Sequence, residues 1–290
     1  MDAFLQLTVG GIRIGVIYGL VALGLVVIYK STRTVNFAHG AFVMLGAYAG
    51  ALAAGAFSTP FVVNLLLGAV AMGLFAAISQ LVILRPLRRL DPFSAVIATV
   101  AFGVLLMALA RVRYGSAILS LDGPGARAPI RFGPVVITAE TILLVALSVG
   151  VVVATLIFFR VTPLGMVFRG VADNPTATEL CGFNIERLQT GAWAIGGGLA
   201  GAGGVMIAPI TGVSPDLMLL IVPAFVVAVV GGFESLEGAL LGGLAVGLAE
   251  TYVAGYVTTG GKQAIGLLAM LLILYFRPQG LFAELEVTKV

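Results

Sequence analysis

The fold class is decided by residues 6–29, QLTVGGIRIGVIYGLVALGLVVIY, an apolar run in which Arg13 is the only charged side chain. A helix needs about 20 residues to cross the hydrocarbon core of a bilayer, and this run is long enough. Comparable runs follow at residues 38–57, 61–84, 93–113, 139–159, 190–210, 217–232, 239–256 and 263–276. The sequence therefore predicts an all-α, polytopic transmembrane helical bundle of about 8–10 spans.

The composition of the whole chain agrees with this class. Only 10% of the 290 residues are charged, whereas soluble domains have roughly a quarter. The single cysteine, Cys181, excludes an internal disulfide framework and a cysteine-based metal cluster. The longest polar stretches, residues 114–138 and 160–189, are too short for a soluble domain. We therefore expect one transmembrane domain over residues 1–290.

The basic residues favour one side of the predicted bundle. The predicted spans place ten basic residues on one side: Lys30, Arg33, Arg85, Arg88, Arg89, Arg160, Arg169, Arg187, Arg277 and Lys289. They place six on the other side: Arg13, Arg111, Arg113, Arg127, Arg131 and Lys262. Because cytoplasmic loops carry the excess of basic residues, residues 160–189 and the C-terminus are predicted inside and the N-terminus outside. The same bias explains the net charge of +3, so binding to nucleic acid is not needed to explain it.

The chain contains no recognisable catalytic, metal or cofactor motif. With one histidine, a histidine cluster cannot form. Residues 196–201, GGGLAG, match a dinucleotide fingerprint formally but lie inside an apolar run without the required strand. Residues 260–262, GGK, lack the upstream glycine and the following Ser or Thr of a phosphate-binding loop. Any ATP-driven activity therefore requires another polypeptide.

Ionisable residues inside the predicted spans are sparse, with Arg13 and Glu250 as the main candidates. We expect both to be solvated near the outer interface. This argues against an ion-coupled secondary transporter.

Small residues recur at every fourth position on two predicted helices. The first set is Gly11, Gly15 and Gly19, and the second is Ala239, Gly243 and Gly247. Such spacing allows two helix backbones to approach closely in lipid. The sequence therefore predicts tight helix packing through these faces.

Two polar insertions interrupt the apolar pattern. Residues 35–40, VNFAHG, contain Asn36, His39 and Gly40, our candidates for the lining of a substrate path. They form either an ordinary loop or a broken, re-entrant segment, which is tolerated only where it lines a cavity or is buried in protein. Residues 231–243, GGFESLEGALLGG, have a similar pattern and hint at two related halves.

A polar island, residues 160–189, contains the sequence FRGVADNPTATELCGFNIER at 168–187. Its Pro163-Leu164-Gly165 is expected to end the preceding span. Asp173 or Asn174 can then cap a short helix over Thr176–Cys181, with Pro175 in its first turn and Gly182 as its stop. A short capped helix outside the membrane is suited to docking a partner.

Four motifs resemble those of the bacterial branched-chain amino acid ABC transporter permeases, of the first-permease type. They are RGVADNPTATELCGFNIERLQ (169–189), NFAHGAFVMLGAY (36–48), VVGGFESLEGALLGG (229–243) and RPQGLF (277–282). They occur in the family's order over almost the whole chain. Glu234 and Glu237 depart from the family's glycine and small or apolar residues.

The resemblance implies a permease subunit with broken or re-entrant segments, not an enzyme, in the bacterial inner membrane. It would translocate branched-chain or related hydrophobic amino acids. Residues 160–189 would dock on cytoplasmic ATP-binding cassette subunits, which bind ATP and Mg²⁺. The expected coupling residues are Arg169, Asp173, Asn174, Pro175, Glu179 and Gly182. The other expected partners are a second permease subunit and a periplasmic or extracellular substrate-binding protein. The resemblance favours a heterodimer of two different permease subunits.

Three alternatives remain open at this stage. A close relative carrying urea or short amides would have a similar sequence. A secondary transporter or channel would need coupling residues and no partner ATPase. An intramembrane enzyme would need a nucleophile and a base in one bundle, and the sequence suggests no such pair.

Overall fold

The computed structural model describes residues 2–87, 92–125, 128–132 and 135–282. Its helices are α1 (Asp2–Thr32), α2 (His39–Phe57), α3 (Phe61–Ser79), α4 (Arg85–Leu87), α5 (Pro92–Tyr114), α6 (Ala139–Val161), α7 (Pro163–Asp173), α8 (Pro175–Leu180), α9 (Ile185–Thr211), α10 (Ile221–Gly231), α11 (Leu236–Tyr256) and α12 (Lys262–Phe276). A π-helical turn (Gln80–Leu84) continues α3, and 3₁₀ turns cover Pro215–Leu220 and Thr259–Gly261. Arg88, Arg89, Arg127 and Lys289 lie outside the described residues.

The predicted helical bundle is confirmed. Within the described ranges, seven helices are long and apolar enough to cross a membrane: α1, α2, α3 with its π-helical turn, α5, α6, α9 and α11. Two shorter apolar segments, Pro215–Gly231 and Ala264–Phe276, coincide with the remaining predicted runs. The boundaries agree to within about five residues, and the largest difference is at α9, which begins at Ile185 rather than near residue 190.

A small β-hairpin within residues 114–138 was not predicted. Strands β1 (Pro129–Phe132) and β2 (Val135–Thr138) pair in antiparallel fashion, with Ile130 opposite Ile137. Each strand has four residues, which is too short for an alternating pattern to stand out in a polar stretch. The side chain of Thr138, the last residue of β2, then caps α6 by accepting a hydrogen bond from the Thr141 amide, at 3.2 Å.

Helix α1 lies in the centre of the bundle and is buried over most of its second half. Its face of small residues packs directly on the equivalent face of α11. The spacing predicted close packing through each face, but not that these two faces would meet. A Cβ atom added at Gly15 would lie 2.7 Å from the carbonyl oxygen of Gly243, and one added at Gly19 would lie 3.1 Å from that of Ala239. Side chains larger than glycine would therefore separate the two helices.

Among the described residues, basic residues assigned to one side gather at one end of the bundle, which we call the island end. It contains Lys30 and Arg33, the polar island and the turn at residues 232–235. Arg85 pairs with Glu186 there. The opposite end contains the hairpin and an ion pair between Arg111 and Asp216.

Candidate functional site

The segment that contains Asn36 turns back into the bundle before α2 begins. Helix α1 ends at Thr32, and α2 starts at His39. The His39 Nε2 atom lies 3.0 Å from the carbonyl oxygen of Val21, and because a carbonyl only accepts, Nε2 donates its proton. Val21 lies about three turns, or about 16 Å, before the end of α1. Residues 33–38 therefore form a re-entrant segment rather than an ordinary surface loop.

All three candidate path residues are buried, Asn36 in this segment and His39 and Gly40 in the first turn of α2. Asn36 and His39 are 0% exposed. The Asn36 Oδ1 atom accepts a hydrogen bond from the Ala38 amide at 3.0 Å, which shapes the turn into α2. Gly40 faces Met218 so closely that an added Cβ would overlap the Met218 carbonyl oxygen. Only glycine fits at this position.

A second broken segment enters from the opposite end. Helix α9 ends at Thr211, and the 3₁₀ turn leads to α10, whose 11 residues are too few to cross a membrane. A Cβ at Gly40 would lie 2.9 Å from Cβ of Ile221, the first residue of α10. The N-terminal ends of α2 and α10 therefore meet inside the bundle. Such ends carry partial positive charge.

The polar island contains two helices, whereas the sequence predicted one. Pro163 ends α6 as expected but is also the first residue of α7, and the Thr162 side chain accepts a hydrogen bond from the Gly165 amide at 3.0 Å. Proline is favoured at a helix start, a role that the prediction overlooked. Helix α7 buries one face, formed by Gly165, Phe168, Val171 and Ala172.

The predicted short helix of the island is present as α8. Asn174 caps it, because its Oδ1 accepts a hydrogen bond from the Ala177 amide at 2.9 Å, while Asp173 is the last residue of α7. Pro175 is the first residue of α8. The Gly182 amide bonds to the carbonyl oxygen of Glu179 at 2.9 Å, with a φ of +90° that favours glycine. The start and stop residues were predicted correctly.

The structure places two of the expected coupling residues in a groove and the other four on α8 and its flanking turns. Arg169 and Asp173 line a groove of about 720 Å³ at the island end, together with Lys30, Arg160, Glu234 and Glu237. Asn174, Pro175, Glu179 and Gly182 are exposed on α8 and its flanking turns. The sequence interpretation missed Leu180, which is 85% exposed at the end of α8. The signal in the sequence that could have identified it was a leucine within a polar stretch.

The two glutamates that depart from the family pattern pair with arginines at the island end. Glu234 binds Arg33, and Glu237 binds Arg160 at 2.7 Å. The hydrogen bond to Glu234 raises the pKa of the Arg33 guanidinium, which therefore stays charged. Arg33 also donates to the carbonyl oxygen of Ala172 at 2.7 Å. These contacts join the re-entrant segment, the 232–235 turn and the island.

Glu250 is buried, which corrects the expectation that it would be solvated. It is 2% exposed and accepts a hydrogen bond from the Tyr18 hydroxyl at 3.3 Å. Arg13 is partly buried, 3.4 Å from the Thr141 hydroxyl. Across the described residues, no cluster of three or more His, Cys, Asp or Glu side chains could hold a metal ion.

The chain is similar to permeases of known transport systems. Residues 7–276 match the family described as "Branched-chain amino acid transport system / permease component". The high-affinity branched-chain amino acid transport system permease protein LivH of Escherichia coli K12 is 27% identical, with 99% of this chain and 98% of the relative covered. BraD of Pseudomonas aeruginosa, a permease protein of the same description, is 30% identical with the same coverage. A probable branched-chain amino acid transport permease protein of Methanocaldococcus jannaschii is 28% identical, with 90% of this chain and 87% of the relative covered.

Proposed function

The chain belongs to the family of branched-chain amino acid transport system permease components, and on that premise we propose that it is the transmembrane subunit of an ATP-binding cassette importer. Its substrates are branched-chain or related hydrophobic amino acids, the class named for its relatives. The permease forms a single domain over residues 1–290. It binds no cofactor itself, and ATP and Mg²⁺ are bound by its partner subunits.

The observation that carries this proposal is the exposed, capped helix α8 with Leu180 at its end. A helix of only six residues is not stable in isolation, so the surrounding structure has to fix both of its ends. Here the Asn174 cap and the Gly182 stop do so. An exposed leucine on a fixed polar support suits insertion into an apolar cleft of an ATP-binding subunit.

The orientation follows from the same docking requirement. Because ATP-binding subunits are cytoplasmic, the island end faces the cytoplasm, with the C-terminus inside and the N-terminus outside. The gathering of basic residues at the island end supports this. The opposite end then faces a periplasmic or extracellular substrate-binding protein. A second permease subunit completes a heterodimer in the bacterial inner membrane.

The substrate path passes the re-entrant segment. Asn36, His39 and Gly40 occupy the place where the N-terminal ends of α2 and α10 meet. Non-helical backbone at membrane depth is tolerated where it lines a cavity or is buried in protein, and broken helices build substrate sites in many transporters. When nucleotide closes the ATP-binding subunits, α8 transmits their movement to this segment.

The proposal is tested with Leu180→Asp in the complete complex, in which the chain is expressed with its ATP-binding subunits, second permease and binding protein. A charge in an apolar cleft has to be desolvated, so we expect at least tenfold less ATP-binding subunit to co-purify. ATP-dependent uptake of radiolabelled leucine should fall in parallel. The matched control for co-purification is Val257→Asp at the opposite end, which is 76% exposed and should leave the amount of co-purified ATP-binding subunit unchanged.

Two results would contradict the proposal. Normal co-purification and uptake by the Leu180→Asp complex would show that α8 is not the docking element. Uptake of urea or a short amide in place of leucine by the wild-type complex would show that the substrate class is wrong.

A further inference from the structure

The side chain of His39 fills a notch in helix α1. Its ring is completely buried, and Nε2 donates to the carbonyl oxygen of Val21 at 3.0 Å. Gly24 leaves the space for the ring, because a Cβ atom added there would lie 2.9 Å from Cε1 and 3.0 Å from Nε2 of His39. The ring therefore occupies the place that a larger residue at position 24 would need.

The face of α1 around this notch fixes the depth of His39 in the bundle. Residues four positions before and after Gly24 lie on the same side of the helix, and they are Leu20 and Ile28. Both side chains are 0% exposed, so they are already tightly packed. A shift of α2 by one turn along α1, in either direction, would therefore press the imidazole against one of them.

The hydrogen bond also fixes the chemical form of the ring. A carbonyl oxygen has two lone pairs, so that of Val21 can accept from His39 in addition to its bond within α1. On the other side of the ring, Nδ1 is buried without a partner in the part of the chain that the structure describes. A proton on Nδ1 would place a charge and an unpaired donor inside the bundle, which is strongly unfavourable. His39 is therefore neutral, with its proton on Nε2.

The backbone of His39 joins this notch to the candidate path. Its amide donates to the carbonyl oxygen of Asn36 at 3.2 Å, within the re-entrant segment. The next residue, Gly40, faces Met218 and Ile221 at the second broken segment. A movement of the ring along α1 would move both contacts. The position of the ring therefore sets the depth at which the N-terminal end of α2 meets α10.

Helix α9 contacts the same notch. The Cβ atom added at Gly24 would lie 2.7 Å from the carbonyl oxygen of Gly196, which belongs to α9. Helix α9 begins at Ile185, three residues after Gly182, the stop of α8. The notch therefore lies where α1, α2 and α9 meet, on the helix that follows the docking helix in the chain.

We propose that His39 is a positioning residue for transport: through its Nε2–H bond to Val21 it holds the re-entrant segment and the N-terminal end of α2 at one depth. The inference rests on the proposed function. The competing role is that of a residue lining the path, whose Nδ1 accepts a hydrogen bond from the ammonium group of the substrate. The two roles use opposite nitrogen atoms of the ring.

Glutamine and asparagine at position 39 separate these roles. The amide nitrogen of glutamine extends about as far from the backbone as Nε2 of histidine, whereas that of asparagine extends only about as far as Nδ1. His39→Gln can therefore keep the bond to Val21, and His39→Asn cannot. The readout is leucine delivered per ATP hydrolysed by the complete complex in proteoliposomes, together with the midpoint of thermal unfolding.

We expect the ratio of leucine to ATP to stay within about twofold of wild type for His39→Gln. It should fall about tenfold for His39→Asn, because the loss of a buried hydrogen bond lets the segment occupy other depths. The matched control is Tyr48→Phe on the same helix, which removes a buried hydroxyl without a partner among the described residues and should leave the ratio unchanged.

An unchanged ratio for His39→Asn would overturn the inference, and a lower unfolding midpoint beside it would identify a histidine that serves only the fold. A ratio that falls as far for His39→Gln as for His39→Asn would also overturn it, because the Nε2 donor would then not be the feature that matters. If the wild-type complex shows no ATP-dependent leucine uptake, the proposed function fails and this inference fails with it.

Discussion

The guanidinium of Arg33 donates a hydrogen bond to the carbonyl oxygen of Ala172, at 2.7 Å, and the same group binds the carboxylate of Glu234. Arg33 directly follows α1 and begins the re-entrant segment. Ala172 lies two residues before Asn174, the cap of α8. One side chain therefore joins the start of the re-entrant segment to the C-terminal end of α7, next to α8. We expect a displacement of α8 to reach the candidate path through this contact.

Arg33→Ala should uncouple ATP hydrolysis from transport. Because Arg33 and Glu234 are each about half exposed, we expect little loss of stability. We expect leucine uptake per ATP hydrolysed to fall severalfold. Glu234→Ala should give a smaller fall, and the double variant should resemble Arg33→Ala, since residues in contact are not additive. Arg187→Ala, at an exposed site of the island in the first turn of α9, is the control, and an equal ratio for Arg33→Ala and Arg187→Ala would refute this role.

Thr178→Pro should disrupt α8 while leaving the spans intact. The Thr178 amide donates to the carbonyl oxygen of Asn174 at 3.1 Å, and proline removes this bond, at a local cost of about 3 kcal/mol or more. The ATP-binding subunits should dissociate, or remain bound with hydrolysis no longer coupled to uptake. Co-purification and leucine uptake measure both outcomes. Thr178→Ala keeps the amide and should retain most of the activity, whereas wild-type behaviour of Thr178→Pro would show that α8 is not required.

Gly247→Leu should separate α1 from α11. A Cβ atom there would overlap the Cα atom of Gly15 and lie 2.8 Å from the carbonyl oxygen of Gly11. Overpacking of this kind costs at least about 1–3 kcal/mol, so the midpoint of thermal unfolding in detergent should fall clearly. Gly150→Leu on α6 is the control, because an added Cβ meets no atom within 4 Å. Equal midpoints for the two variants would show that the α1–α11 contact contributes little.

Features set by neighbouring residues could be predicted from the sequence. Seven of the nine apolar runs became helices that could cross a membrane because their length and composition suffice. Helix α8 has the start and stop residues that its sequence indicated. Helix α7 was missed because Pro163 was interpreted only as a stop. The hairpin was missed because its strands are short.

Features set by distant residues could not be predicted. Asn36 and His39 were identified as candidates, but their depth became apparent only from the contact of His39 with Val21. Gly24 packs on His39 and on Gly196, and more than half of the chain separates the two glycines, so no local pattern connects them. The contact between Arg33 and Ala172 also joins residues that are far apart in the sequence, so no local pattern could predict it.

The most direct test of the central claim is leucine uptake by proteoliposomes that contain either the chain alone or the complete complex. Buried Glu250 makes the comparison informative, because a carboxylate inside a membrane bundle is a usual element of ion coupling. We predict ATP-dependent accumulation by the complete complex, and none by the chain alone under an imposed proton or sodium gradient. Gradient-driven accumulation of leucine by the chain alone would contradict the importer account.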